Sequence, residues 1–334
     1  MFEIKGEVKS YVVNSFSNEE ISTINSTKYY ISGGTGFIGK WIVCILDLVC
    51  SGRESPDIKI ISRSATNGAR LSQFNKNVSV ITWESLRSEV FSESATDRVV
   101  GFHASVPAAS GENITNLDLD SLHSTTSAYA NYLGRKYQHP IFVNVSSGSV
   151  YKRPEKGLIL EVGAESKTSD LSNYDKVKIA DEYIVKTLTE KGSINGANPR
   201  LFSFTGPGLE IPGNFVIANF IYDAISKRPV QITGNQLSSR SYMSPIDMGI
   251  WLLKTSLYPT LENLHVGSNQ SYHMIEIAHL ISRKFGMGEV ESNPTTESSP
   301  ESYVPETART CSLLNVHNII PFEEAIKLWH ESFS

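Results

Sequence analysis

The sequence predicts an α/β fold, a doubly wound parallel sheet with a smaller mixed C-terminal lobe, and three observations predict it. Short apolar, β-rich runs alternate with helical patterns from Lys28 to about residue 190, the rhythm of a parallel sheet covered on both faces. The first run leads through the glycine-spaced turn "SGGTGFIGKW" directly into an apolar helix. After "RLFSFTGPG" (200–208) the rhythm weakens, and turn residues and mixed segments dominate to the C-terminus. The expected division is an N-terminal extension at 1–27, a sheet domain at 28–206, and a mixed lobe at 207–334 interleaved with it.

Residues 1–27 are polar, with turn-forming Asn and Ser, and read as an extension packed on or trailing from the main body. "KYYIS" then predicts a strand and 36–50 a helix, whose run "WIVCILDLVC" contains Asp47 and is too short to span a bilayer, so it reads as buried. "DIKIIS" and "VSVIT" predict the next two strands, with a helix at 84–91. "RVVGFHA" precedes a helix at about 114–137, and "PIFVNVSS" precedes one at 172–190. The run "ESNPTTESSPES" (291–302) is the most loop-like piece of the C-terminal half.

Composition narrows the function classes. Of 334 residues, 40% are hydrophobic and 19% charged, ordinary for a globular protein, and a net charge of −5 gives no broad basic field for nucleic acid or an anionic membrane. Cys44, Cys50 and Cys311 make neither an even-numbered framework nor a C-x-x-C pair, and the first residues lack a secretory layout, so a cytoplasmic location is expected. His273 and His279, six apart, do not share a helix face, and no metal site is expected.

The turn carries Gly33, Gly36 and Gly39 between an apolar strand and a helix, the context of a Rossmann-type dinucleotide fingerprint. Gly33 permits the tight turn, Gly36 lets backbone amides approach a pyrophosphate, and Gly39 lets helix pack on strand. Thr35, Phe37 and Ile38 complete the expected cofactor contacts of this turn. At the end of the second strand, "IISRSATNGAR" has no carboxylate for a ribose hydroxyl. Ser62, Arg63 and Ser64, helped by Arg70, would instead surround a 2′-phosphate, which leans toward NADP(H) over NAD(H); the alternative is that Arg63 stacks on the adenine or faces water.

"PIFVNVSSGSVY" (140–151) is a buried-strand pattern ending in hydroxyls, at the sheet edge where a cofactor would lie. The next long helix opens with Tyr174 and Lys178, four apart and on one face. Tyr132 and Lys136 have the same spacing but precede that strand, so only the later pair is expected in the cleft.

With these motifs the chain resembles the extended short-chain dehydrogenase/reductase family, in its branch of nucleotide-sugar epimerases, dehydratases and reductases. The resemblance covers about residues 28–315 and rests on G-G-T-G-F-I-G, F-H-A, V-S-S-G-S-V-Y, Y-D-K-V-K, R-L-F-S-F-T-G-P-G, R-S-Y-M-S-P-I-D and H-V-G-S, in that order. It implies Tyr174 as general acid/base at a sugar oxygen, Lys178 on the nicotinamide ribose, and Ser147 as the active-site hydroxyl. A free tyrosine titrates near ~10, so the role calls for stabilised phenolate. His103, Ala104 and Ser105 would lie beside the cofactor, His103 as structure and not as catalyst, and Ser105 touching cofactor or substrate, with a plain loop serine as its alternative. Arg240 and Arg309 match arginines that contact a diphosphate, each with a surface ion pair as its alternative; Ser149 joins Ser147 at the substrate, Asn198 and Arg200 are further candidates, and Arg200 also reads as a strand anchor. Dehydratases of the family carry Asp-Glu where this chain has Gly148 and Ser149, so elimination is not expected.

The resemblance therefore implies hydride transfer at the sugar C4, by a 4-epimerase or a 4-keto-sugar reductase serving surface glycan synthesis, in a homodimer paired through helices 114–137 and 172–190. The alternatives are an NADPH-dependent reductase of a small non-sugar carbonyl and a catalytically silent cofactor-binding protein.

Overall fold

The structure is a computed structural model describing residues 6–50, 56–62, 77–88, 97–104, 116–162, 170–286, 288–292, 299–316 and 320–333, with the backbone alone over 116–124. The chain forms two compact units: Met1–Val150, Thr168–Arg200 and Gly249–Leu264 make the first, and Tyr151–Lys167, Leu201–Met248 and His265–Ser334 the second.

In the first unit, β1 (Lys28–Ser32), β2 (Ile58–Ser62), β3 (Val78–Thr82), β4 (Val99–His103), β5 (Ile141–Asn144) and β6 (Asn195–Ala197) form one parallel sheet in the order β3-β2-β1-β4-β5-β6. β4, of sequence V-V-G-F-H, is buried along its whole length, as a strand covered on both faces must be. Strand order reverses at β1, so the carboxyl ends of β1 and β4 lie side by side, with Ser32 in register with His103. Ligands of open parallel sheets bind outside such a reversal. This is the predicted Rossmann-type architecture.

β6 escaped the sequence reading because Asn195, Gly196 and Ala197 carry no strand-forming side chains. Gly196 pairs with Phe142 and lies so close to the preceding helix that a Cβ there would sit 2.4 Å from Thr189 Oγ1 and 2.5 Å from Val185 Cγ1. Packing, not propensity, makes this strand.

Helices α1 (Gly6–Asn14) and α2 (Asn18–Asn25) correct the expectation of a turn-rich polar segment. Ser17 and Glu20 form a capping box, each side chain bonding the other's backbone N–H, and this fixes the start of α2. Glu20 then accepts from Lys254 Nζ at 2.7 Å in a buried ion pair. Helices α3 (Phe37–Val49), α4 (Trp83–Ser88), α5 (Asn116–Lys136) and α6 (Asn173–Glu190) follow the predicted order; of the expected 84–91 helix, the residues past Ser88 fall outside the described ones. Gly249 gives α3 close access: a Cβ there would meet Ile45 Cγ1 at 2.5 Å.

One core cluster of this unit is aromatic. Tyr30, Tyr129, Tyr132, Tyr137 and Phe142 pack together, Tyr30 and Tyr137 share a 2.8 Å hydroxyl contact, and Tyr129 donates to the Tyr30 carbonyl. Tyr132, of the earlier Tyr/Lys pair with the same spacing, belongs to this core and accepts from Lys136 at 3.0 Å.

The second unit has its own apolar core, built by α7 (Val216–Ile225), α9 (Met274–Lys284) and α11 (Phe322–Glu331) around Phe220, Ile277, Phe322 and Trp329. Between α7 and α9 in chain order lies α8 (Pro245–Leu257), and between α9 and α11 the short α10 (Ala308–Leu314). Strand Ser239–Arg240 runs between Tyr272–His273, antiparallel, and Ser302–Tyr303, parallel. Val230–Ile232 pairs in parallel with Val290–Ser292.

Candidate active site

The glycine turn fits a dinucleotide pyrophosphate. Gly33 sits at φ +74°, a left-handed conformation that favours glycine. Gly36 is the extended N-cap of α3, with no side chain over the helix N-terminus. A Cβ on Gly39 would stand 2.4 Å from Gly34 Cα and 2.5 Å from the Gly33 oxygen, both backbone atoms that cannot move aside. The turn is therefore closed against side chains, and Thr35, Phe37 and Ile38 remain half-buried around it. Amides at the start of a helix favour an anion there.

Ser62 ends β2 and is buried. Arg63, Ser64, Arg70 and Ser105 lie outside the described residues. Ala104 is held by its N–H, which donates to the Ser32 carbonyl at 3.0 Å. His103 is buried between Ser32 Oγ and Thr126 Oγ1, each 3.1 Å from a ring nitrogen. Burial, reinforced by the Lys178 ammonium, drives its pKa down to about 3, so the ring is neutral and fully engaged. That is the chemistry of a brace between β1, β4 and α5.

Ser172 caps α6 and Asp175 occupies its third position, the two closing a capping box that aims the first turn. Tyr174 is half-buried on that turn, and Lys178, one turn on, is buried with its Nζ 5.7 Å from the Tyr174 ring. Lys178 donates to the Val145 carbonyl at 2.8 Å. Val145 leads into Ser147 and the short 3-10 turn Gly148–Val150, so the lysine ties α6 to the serine segment. Ser147 Oγ lies 2.9 Å from Ser149 Oγ, and Ser149 Oγ donates to Asp175 Oδ1 at 2.5 Å. Ser147, Ser149 and Asp175 thus form one hydrogen-bonded chain at the start of α6, with Tyr174 on the same turn and Lys178 tied to Val145, two residues before Ser147.

Beneath it, Glu182 takes both forks of Arg200, Nε at 2.9 Å and Nη2 at 2.7 Å, and also accepts from Ser146. Arg200 is buried in this bidentate pair, a strand anchor. Asn198 accepts from Asn144 and donates to the Glu182 carbonyl, in the same support.

In the second unit, Arg240 Nη2 pairs with Glu301 Oε1 at 2.6 Å, and Arg153 Nη1 meets the same oxygen at 2.6 Å. Two guanidiniums on one carboxylate leave net positive charge. Arg153 also stacks over Tyr303, 5.0 Å from its centroid. Arg309 is half-buried, and its backbone N–H donates to Glu161 at 2.7 Å. Sequence reasoning missed Asp175, Glu182, Arg153 and Glu301. Only Asp175 had a local signal, as the last residue of the S-x-x-D box "SNYD".

Among the described residues no group of His, Cys, Asp and Glu is placed to hold a metal ion, and no helix is long and apolar enough to cross a membrane.

Comparisons with known proteins bear on the family and the fold. The model of the NAD dependent epimerase/dehydratase family matches residues 29–253. Among curated proteins, UDP-glucuronic acid decarboxylase 2 of Arabidopsis thaliana is 22% identical over 307 residues, spanning 91% of this chain and 67% of that protein. Among solved structures, an epimerase from Methanothermobacter thermautotrophicus superposes with a TM-score of 0.76 at 20% identity, covering 95% of each chain. A UDP-N-acetylglucosamine 4-epimerase from Methanobrevibacter ruminantium, in complex with UDP-N-acetylmuramic acid, gives 0.73 at 18% identity over 92% of this chain and 97% of its own. The UDP-glucuronic acid 4-epimerase of Bacillus cereus, in complex with UDP-glucuronic acid and NAD, gives 0.72 at 15% identity over 91% and 98%.

Proposed function

The chain belongs to the NAD-dependent epimerase/dehydratase family, the nucleotide-sugar branch of the extended short-chain dehydrogenases/reductases, and from that premise we propose that it exchanges a hydride at C4 of a nucleotide sugar. The reaction is a 4-epimerisation or the reduction of a 4-keto sugar, in the cytoplasm, in a homodimer, and serving surface glycan synthesis. The observation that carries the reading is the assembly of Tyr174, Lys178 and Ser147 at the start of α6, with Lys178 bonded to Val145.

The nicotinamide, when bound, takes or returns the hydride. Everything else falls to this chain's residues. Gly33, Gly36 and Gly39, with Thr35, Phe37, Ile38 and Ala104, hold the dinucleotide; Tyr174 moves the proton of the sugar hydroxyl, and Ser147 fixes its oxygen. Lys178, tied to the Val145 carbonyl, holds its ammonium 5.7 Å from the Tyr174 ring. Arg240 and Arg309 hold the diphosphate, Arg240 with its fork preset by Glu301. The cofactor preference leans to NADP(H): β2 runs Ile58–Ser62 with no carboxylate at its end.

Gly148 and Ser149 supply no acid/base pair for elimination, which argues against dehydratase chemistry. A decarboxylase reading has the curated relatives in its favour, so UDP-glucuronic acid belongs in the test. Purified protein is incubated with UDP-, dTDP-, GDP- and CDP-sugars and their 4-keto forms, with NAD(H) or NADP(H), and products are read by mass and NMR. Epimer without net reductant supports the epimerase; stoichiometric NADPH oxidation supports the reductase. Carbon dioxide from UDP-glucuronic acid places the chain with the decarboxylases, and inertness toward every nucleotide sugar, with turnover of small carbonyls, overturns the proposal.

A further inference from the structure

We infer that Asp175 is a positioning residue for Ser147, acting through Ser149, and that this chain of hydroxyls makes Ser147 a hydrogen-bond acceptor toward the substrate; the inference rests on the reading of Ser147 as a substrate contact. A serine hydroxyl has one hydrogen and a carboxylate has none. Ser149 Oγ gives its hydrogen to Asp175 Oδ1 at 2.5 Å. In its 2.9 Å contact with Ser147 Oγ, Ser149 therefore accepts, and Ser147 is the donor. Ser147 also accepts from the Ser149 N–H at 3.2 Å, so toward a ligand it offers its remaining lone pair.

The arrangement is anchored at its far end. Asp175 is buried, and its other oxygen receives the Ser172 N–H at 3.0 Å and the Ser172 hydroxyl at 2.6 Å, which prevents the carboxylate from turning. A hydrogen bond to an ionised acceptor is stronger than one between neutral groups, so the hydrogen of Ser149 stays with Asp175 and the polarity propagates to Ser147. A sugar hydroxyl, a donor, meets an acceptor at Ser147 in the bound ground state, and its single hydrogen turns from Ser147 to Tyr174 when the proton moves. A sugar ketone meets no donor there until Ser147 releases Ser149. The chain thus favours the hydroxyl form of the substrate, and Ser149 is a link in it rather than a substrate contact.

The test compares UDP-6-deoxyglucose with UDP-4-keto-6-deoxyglucose, which differ only at C4, by calorimetric binding to the full-length protein. Wild type is expected to prefer the hydroxyl form, and Ser149→Ala, which leaves the Ser172–Asp175 cap intact, to reduce that preference about tenfold, the size of one charge-assisted hydrogen bond. Asp175→Asn should do the same, the double variant no more, and Ser149→Thr should restore it. Without ligand, the 13Cβ signal of Ser147 should move on Asp175→Asn when Ser149 is present and stay still in the Ser149→Ala background. An unchanged preference, additive variants, or a Ser147 signal indifferent to Asp175 would overturn the inference. If neither sugar binds, UDP-sugars are excluded as substrates, and the Ser147 spectrum alone decides whether Asp175 positions it.

Discussion

Lys178 donates to the carbonyl oxygen of Val145 at 2.8 Å, so the lysine is fixed by the serine segment while its Nζ stands 5.7 Å from the Tyr174 ring. The two residues of the Tyr-x-x-x-Lys pair therefore have separable jobs. Lys178→Met leaves a buried carbonyl unsatisfied and should cost about 1–3 kcal/mol of stability, read by denaturant unfolding. Tyr174→Phe leaves that bond in place, and stability should change by under ~0.5 kcal/mol. Turnover should fall at least ~100-fold, with NAD(P)H binding by fluorescence near normal. Full activity in the phenylalanine variant would remove Tyr174 from the mechanism.

The glycine turn makes a second prediction. Gly39→Ala drives a methyl group to 2.4 Å from Gly34 Cα and 2.5 Å from the Gly33 carbonyl oxygen. No flexible side chain stands there to yield, so the turn itself must open. The expected cost is about 1–3 kcal/mol in stability together with loss of dinucleotide binding. A variant that binds NAD(P)H like wild type would show that the turn tolerates displacement and that its tightness is unrelated to the cofactor.

His103 makes a prediction about pH. Its folded pKa is about 3 because it is buried and faces the Lys178 ammonium, whereas an unfolded histidine titrates near ~6.5. The unfolded chain thus takes up a proton that the folded chain refuses. His103 contributes stability that is present above the unfolded value and is lost as pH falls from ~6.5 toward the folded value, at a slope of up to one proton. Replacement by Gln, which keeps hydrogen-bonding atoms but does not titrate, should flatten that part of the stability curve. The acidic limb of any rate profile should stay where it is, since His103 is not the group that sets it.

How much of this was written in the sequence depends on which force builds each part. β1 to β5 were legible because Val, Ile, Phe and Tyr in short runs announce buried parallel strands. β6 was not, since Gly196 is there for its lack of a side chain against Val185 and Thr189, a tertiary fact. The capping box Ser17-x-x-Glu20 was legible but stood among Asn and Ser residues that read as turns, and Lys254, which buries Glu20, lies more than two hundred residues away. At the site, Tyr174, Lys178 and Ser147 were visible as spacing and motif. The link from Ser147 through Ser149 to Asp175 was not, because it needs the 3-10 turn at Gly148–Val150 to bring the two serine hydroxyls together. Likewise Arg153 and Arg240 meet only through Glu301.

Arg240 carries the prediction for substrate affinity. Glu301 holds its fork, and although burial alone would raise the Glu301 pKa, the charges and hydrogen bonds of Arg153 and Arg240 bring it below the ordinary glutamate value. The carboxylate therefore stays ionised down into the acid range and keeps the guanidinium aimed. Arg240→Lys retains the charge but loses the planar fork, and KM for the nucleotide sugar should rise about tenfold with little change in kcat, the loss of roughly 1.4 kcal/mol of ground-state binding. An unaltered KM would assign Arg240 to the Glu301 pair alone.

The pair Glu20–Lys254 tests whether α2 is part of the folded unit or an appendage. Lys254 Nζ reaches both Glu20 oxygens, at 2.7 and 2.8 Å, and Tyr258 donates to the same carboxylate at 3.0 Å. Burial works to raise the Glu20 pKa, but the bond and charge of Lys254, with the Ser17 N–H and Tyr258, outweigh it and the net shift is downward. A carboxylate lowered on folding contributes stability above its unfolded value, near ~4.3, and loses it as pH falls through the folded value. Lys254→Met strands the buried carboxylate and should cost about 3 kcal/mol near neutral pH. Glu20→Gln should cost less and should remove the part of the acid unfolding that belongs to this group. Hydrogen exchange gives the decisive reading: in wild type the α2 amides should exchange only with global unfolding of the first unit, and in Lys254→Met they should exchange early while the β1 amides stay protected. Early exchange of α2 in wild type would show that the helix opens on its own and that the ion pair does not bind it to the unit.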